Sequence, residues 1–163
     1  MLQLGGGMDS YLIYKTLHLI GVIAFIGNIA VTGWWKTMAD RTRDPKIIAF
    51  AQGEVTAADY VFTGGGIVLI LIGGFGAAEA GNLSILGTPW IAWGLTLFIL
   101  SGVVWVAALI PLQVMLGRMA RDFAKGGEIP ARFWELERRW YVFGAIATVL
   151  PLAALVIMTL KPA

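Results

Sequence analysis

The chain holds a single histidine, His18, in 163 residues, and no cysteine. His18 opens a long apolar run, Tyr11 to Trp35, and follows Lys15 by one helical turn. An ionisable ring inside a membrane span is costly and marks function by default. Three chemistries are open to it. It can be a structural group bonded to a backbone carbonyl or to a hydroxyl on another helix. It can carry protons, because imidazole titrates near neutrality. It can be an axial ligand to a haem lodged between helices, since the porphyrin supplies the equatorial nitrogens and one protein ligand is enough. A copper or zinc centre needs several protein ligands, and one His, no Cys and scattered Met do not supply them. Disulfides, iron–sulfur clusters and covalent c-type haem drop out for want of cysteine.

Other residues of the first span recur with His18. Tyr14, His18, Gly21, Phe25, Asn28, Thr32 and Trp35 are spaced by four and three, which places them on one helical face. That face must point into a bundle, because Asn28 and His18 are expensive to leave bare in hydrocarbon. Lys15 lies a turn outward and can snorkel to the surface. In the second span Asp59, Thr63, Gly66 and Gly73 line one side, with Gly64, Gly65, Gly74 and Gly76 close by. Small residues let helices pack closely, and they also let a flat cofactor lie against backbone. Asp59 is expected to form a structural ion pair with Lys or Arg from the first connection; its sharper alternative is a proton relay.

The elements that must position these residues follow from composition. The chain is 58% hydrophobic with a mean hydropathy of +0.79, and 13% of it is charged, against about 25% in soluble domains. It is expected to be an all-α, polytopic transmembrane four-helix bundle, up-down-up-down, forming a single transmembrane domain over residues 1–163. A bilayer core of about 30 Å needs roughly 20 apolar residues. The stretches Tyr11–Trp35, Ala57–Ala78, Trp90–Leu116 and Trp140–Leu160 qualify. Asp44-Pro45 and Thr88-Pro89 read as an N-cap followed by proline at the first helical position, and Pro130 opens the fourth helix in the same way. The third helix is expected to run from Pro89 to about Lys125, where Gly126-Gly127 ends it, so one end projects into water. Pro111 and Pro151 fall inside spans and should kink them.

Ahead of the first span, residues 1–10 have no basic stretch and do not read as a cleavable signal peptide. The Gly triplet implies a loose tail, Asp9 and Ser10 an N-cap, and Met8 is a second candidate start. Ten of the 12 Lys and Arg lie in the first and third connections, and the second, Glu79 to Gly87, has none. Both basic connections are therefore expected in the cytoplasm and both termini in the periplasm. Trp34, Trp35, Trp134 and Trp140 would mark the inner interface, Trp90 and Trp93 the outer. Glu135 is spaced to pair with Arg138 and Arg139. A net charge of +2 is too small to imply a nucleic-acid partner.

Lys15-x-x-His18, the small residues and Asn28 after it, and the closing Trp34-Trp35-Lys36 resemble a bacterial family of four-helix integral membrane proteins, domain of unknown function 2269. The likeness extends through Asp40-Arg-Thr-Arg-Asp-Pro45, Phe62-Thr-Gly-Gly-Gly66, Gly126-Gly-Glu-Ile-Pro130 and Arg138-Arg-Trp140. More distantly, Lys15 and His18 look like the start of the HemJ-type haem-containing protoporphyrinogen oxidases and of the CopD-like copper-resistance membrane proteins. That second resemblance implies a haem b held by His18 as axial ligand. The further histidines of those enzymes have no counterpart here.

Two functions follow as expectations. The first is a b-type haem protein of a bacterial inner membrane that moves electrons or oxidises a lipid-soluble substrate, with His18, Lys15, Asn28 and Gly66 about the cofactor. Lys15 would attract a propionate, and the sixth ligand would be Met158, a water or the same histidine of a second protomer. The alternative is a non-catalytic accessory subunit, a homodimer or part of a larger membrane complex, using the glycine-rich second span as its contact surface. A small transporter ranks last, because there is no inverted repeat or pair of broken helices.

Overall fold

A computed structural model describes residues 6–162, with side-chain surroundings from Asp9 onward. Four helices fill it: α1 (Gly6–Thr42), α2 (Pro45–Ala80), α3 (Pro89–Phe123) and α4 (Ala131–Leu160). Each is long and apolar enough to cross a membrane, and each presents large apolar side chains outward, among them Ile23, Val68, Ile99 and Val149. Asn28, Thr32, Thr63, Ser101 and Gln113 are buried. Polar groups inside and hydrocarbon outside is the arrangement lipid enforces.

The expected turn chemistry is present. Asp44 is extended and its carboxylate accepts from the Lys46 and Ile47 amides at 2.8 and 3.2 Å, with Pro45 at the first helical position. Only Arg43 and Asp44 separate α1 from α2, and Arg43 takes a left-handed φ of 57° to make the reversal. Asp44→Ala is expected to cost about 1 kcal/mol, read as a lowered unfolding midpoint in detergent. Thr88 and Pro89 open α3 without a side-chain cap bond. Gly126 follows α3 at φ 121°, a conformation closed to residues with a Cβ. Pro130 is the extended N-cap of α4 itself, one position earlier than expected.

Two helix details depart from expectation. α1 begins by Gly6, so Asp9 lies in its opening turn and neither Asp9 nor Ser10 caps it; the loose tail before it falls mainly outside the described residues. Pro111 is accommodated by a π-helical segment just ahead of it, Trp105–Leu109. α2 carries a second π segment, Asp59–Gly64. Such wide turns re-aim side chains and recur at functional sites.

α1 and α2 form one close antiparallel hairpin, and α3 and α4 another. In the first, Gly73 faces His18, Gly66 faces Gly21 and Phe25, and Asn28 reaches Asp59 and Thr63. In the second, Met158 seats against Gly94 and Lys161 lies over the Trp90 ring. The two hairpins meet most tightly at the end that carries the basic connections. Ile48, Val55, Leu112, Leu116, Ala120, Phe123, Phe133 and Leu136 form the main apolar core there. The last part of α3, Ile110–Phe123, is amphipathic: Leu116 and Ala120 are buried while Arg121 is exposed. It ends a helix of 35 residues, about 52 Å at ~1.5 Å per residue.

Candidate functional site

Toward the other end, where both termini lie, the hairpins separate and leave a cavity of about 480 Å³. Its walls are apolar, including Leu19, Val22, Ile70, Leu95 and Leu155. Among its polar groups are His18 from α1, Lys15 one turn further out, and Lys161 just past α4. Met158 joins them from α4. The His18 ring is fixed by a 2.8 Å bond between Nδ1 and the Ile70 carbonyl of α2. A carbonyl only accepts, so Nδ1 carries the proton and Nε2 keeps its lone pair in the neutral ring. Holding a ligand imidazole by its second nitrogen is how metal-binding histidines are oriented.

The glycines explain why α2 comes so near. A Cβ on Gly73 would stand 2.3 Å from the His18 backbone nitrogen, and one on Gly74 3.1 Å from Nδ1. Gly74 lines the cavity; Gly66 does not, because Phe25 and the Gly21 carbonyl fill the space beside it. Gly66 and Gly73 thus serve contact within the chain, not the outward surface expected of an accessory subunit. Asn28 also lies away from His18. The structure gathers His18, Lys15 and Met158 and sets Asn28 and Gly66 apart from them.

Asn28 instead bonds to Asp59 and Thr63, which line a second cavity, of about 430 Å³, nearer the basic end. Phe25, Leu71 and Phe98 line both cavities, and the Phe25 and Phe98 rings meet edge to face at 5.6 Å. The second cavity centres on Asp59. Its Oδ1 accepts from Asn28 Nδ2 at 2.9 Å and Thr63 Oγ1 at 3.1 Å, and its Oδ2 accepts from Gln113 Nε2 at 2.6 Å. Among the described residues no Lys or Arg lies within ion-pair distance of Asp59, so the expected ion pair is not formed. Neutral amides and a hydroxyl from three helices hold it instead.

Below that cavity lies a polar cluster that the sequence reading missed. Lys36 is fully buried, its Nζ 2.9 Å from Glu137 Oε1 and 3.9 Å from Asp40 Oδ1. The Phe133 and Trp140 rings flank it at 5.8 and 5.6 Å. Tyr141 donates to Asp40 Oδ2 at 2.8 Å and meets Thr37 Oγ1 at 3.3 Å. Lys36, not the exposed Trp35, continues the buried face of α1, and Trp140 is buried rather than interfacial. Glu135 pairs with Arg132 at 2.9 Å, not with the expected arginines. Arg43, beside Trp134 at 4.0 Å, makes the remaining basic-end ring contact.

These features define an integral membrane bundle of four helices, polar at its seams and hollow at two levels. The family model described as "Predicted integral membrane protein (DUF2269)" matches residues 12–162, and the chain belongs to that family. No curated protein and no solved structure matches it. Lipid surrounds the apolar faces. No group of three or more His, Asp or Glu that could hold a metal ion occurs among the described residues.

Proposed function

We propose that the chain is a b-type haem protein of a bacterial inner membrane, its termini in the periplasm, with the haem in the cavity beside His18. One observation carries the reading: the lone imidazole is anchored through Nδ1 in the wall of an apolar cavity, and its other nitrogen is free to bind iron. The residues suit that cofactor. Lys15 and Lys161 line the cavity near the termini and would pair with propionates, while the apolar walls would take the ring. Met158 lines the same cavity and would offer its thioether to the iron. When bound, the haem supplies one-electron redox chemistry. His18 would orient and hold it, Phe25 and Phe98 would close its inner side, and the surrounding side chains would exclude water. The basic connections favour the cytoplasm for the opposite end.

The experiment is an absorption spectrum of the protein purified from cells with ample haem. A Soret band is expected, and His18→Ala should abolish or shift it. A wild-type preparation without that band overturns the reading.

A further inference from the structure

We infer that Asp59 is a proton-binding group supplied from the aqueous phase at the basic end through Asp40 and Tyr141. The inference stands independently of the haem reading, since it concerns the other cavity.

Asp59 is the carboxylate of a membrane-embedded cavity, and its partners accommodate either protonation state. As an anion it accepts from Asn28, Thr63 and Gln113. Gln113 is the partner of Oδ2 and carries both an amide donor and a carbonyl acceptor. Turning that amide over gives a protonated Oδ2 an acceptor at the same place. An ion pair with Lys or Arg would instead have locked the charge.

A route to water begins on the opposite wall. Tyr141 and Thr37 line the same cavity as Asp59. Tyr141 donates to Asp40, whose side chain retains 12% exposure at the basic end. The cavity is mostly apolar but has room for bridging water, and Thr32, Thr63, Ser101 and Thr148 set polar groups along it. The hydroxyls of Thr32, Ser101 and Thr148 donate to backbone carbonyls, which leaves their lone pairs to accept from water. Near Asp40 the orphaned buried atoms include Lys36 Nζ, both Glu137 oxygens and the Trp140 indole nitrogen, a set that asks for water of its own. Gln52 of α2 is buried and unpaired as well.

The step balances as a relay of one proton. Asp40, protonated from bulk water, passes its proton to the Tyr141 oxygen. Tyr141 releases its own proton to a cavity water, and that water delivers one to Asp59. Asp40 ends ionised, Asp59 neutral, Tyr141 and the water unchanged. The charged and titratable groups around the path are Lys36 and Asp40 from α1 and Glu137 and Tyr141 from α4; α2 and α3 face Asp59 with Thr63 and Gln113, both neutral.

The test uses infrared difference spectra of the full chain in liposomes during pH jumps. Acidification should raise the carbonyl stretches of neutral carboxylic acids, and one component of that band should be missing from the isosteric Asp59→Asn. Tyr141→Phe should slow the appearance of that component roughly tenfold or more, with the midpoint little changed. Asp40→Asn, a second block on the same route, should slow it likewise. A band that is unchanged in Asp59→Asn, or wild-type rates in both blocking variants, would each overturn the inference.

Discussion

Lys36→Met is expected to destabilise the protein by about 3–5 kcal/mol. Lys36 has no exposed surface and Glu137 is 3% exposed, so removing the ammonium leaves a carboxylate buried with little else to balance it. The pair is in charge contact at 2.9 Å, yet neither partner has a well-directed hydrogen bond to the other. Coulomb attraction and the flanking Phe133 and Trp140 rings therefore hold the lysine in place. Exposed pairs such as Lys125–Asp122 contribute far less, because water screens them and their side chains lose entropy in meeting. A matching loss is expected for Glu137→Leu. The double variant Lys36→Met with Glu137→Leu should recover most of it, since well-packed apolar groups often replace a buried pair without net cost. Unfolding in detergent, followed by helix content in a double-mutant cycle, measures the coupling. Two single losses that simply add in the double variant would mean that these charges do not depend on one another.

How far the sequence revealed this arrangement depended on what kind of signal each part left. The four spans and the inward face from Gly21 to Thr32 were legible because lipid imposes a strong contrast between apolar and polar positions. That face was misread at its end. Extending the alternation of four and three selected Trp35, but the helix turns slightly further and buries Lys36. A lysine just past a Trp pair also looks like an ordinary interfacial anchor, so its burial left no compositional trace. Asp59 was misassigned for a related reason. Nearby sequence offered it cations, whereas its Oδ2 partner, Gln113, comes from another hairpin. Amides give no charge pattern to follow. The second cavity was not legible either, because it arises where glycines such as Gly33, Gly102 and Gly144 have nothing against them. His18 and Lys15 were found because each is rare in its surroundings; Lys161, past the last span, was not associated with them until the fold brought it to the same cavity.

Gly73→Leu is expected to prevent a stably folded chain from accumulating. A single Cβ at Gly73 would stand 2.3 Å from the His18 nitrogen, 2.7 Å from the Tyr14 carbonyl oxygen and 2.8 Å from the His18 Cα. All three are backbone atoms of α1, so no side-chain rotation relieves the clash and the helices must move apart. Gly73→Ala should therefore already cost about 1–3 kcal/mol by overpacking, and the larger leucine more. The separation would also lengthen the bond from His18 to the Ile70 carbonyl and loosen the ring in its cavity. Gly65 gives the contrast, because a Cβ there meets nothing within 4 Å. Gly65→Ala should be neutral or stabilising by up to about 1 kcal/mol, since alanine is the better helix former. Helix content and monodispersity after detergent extraction, then unfolding midpoints of whatever survives, separate the two positions. Gly73→Leu with wild-type stability would show that α1 and α2 do not meet backbone to backbone at His18, and the fixed imidazole would lose its support.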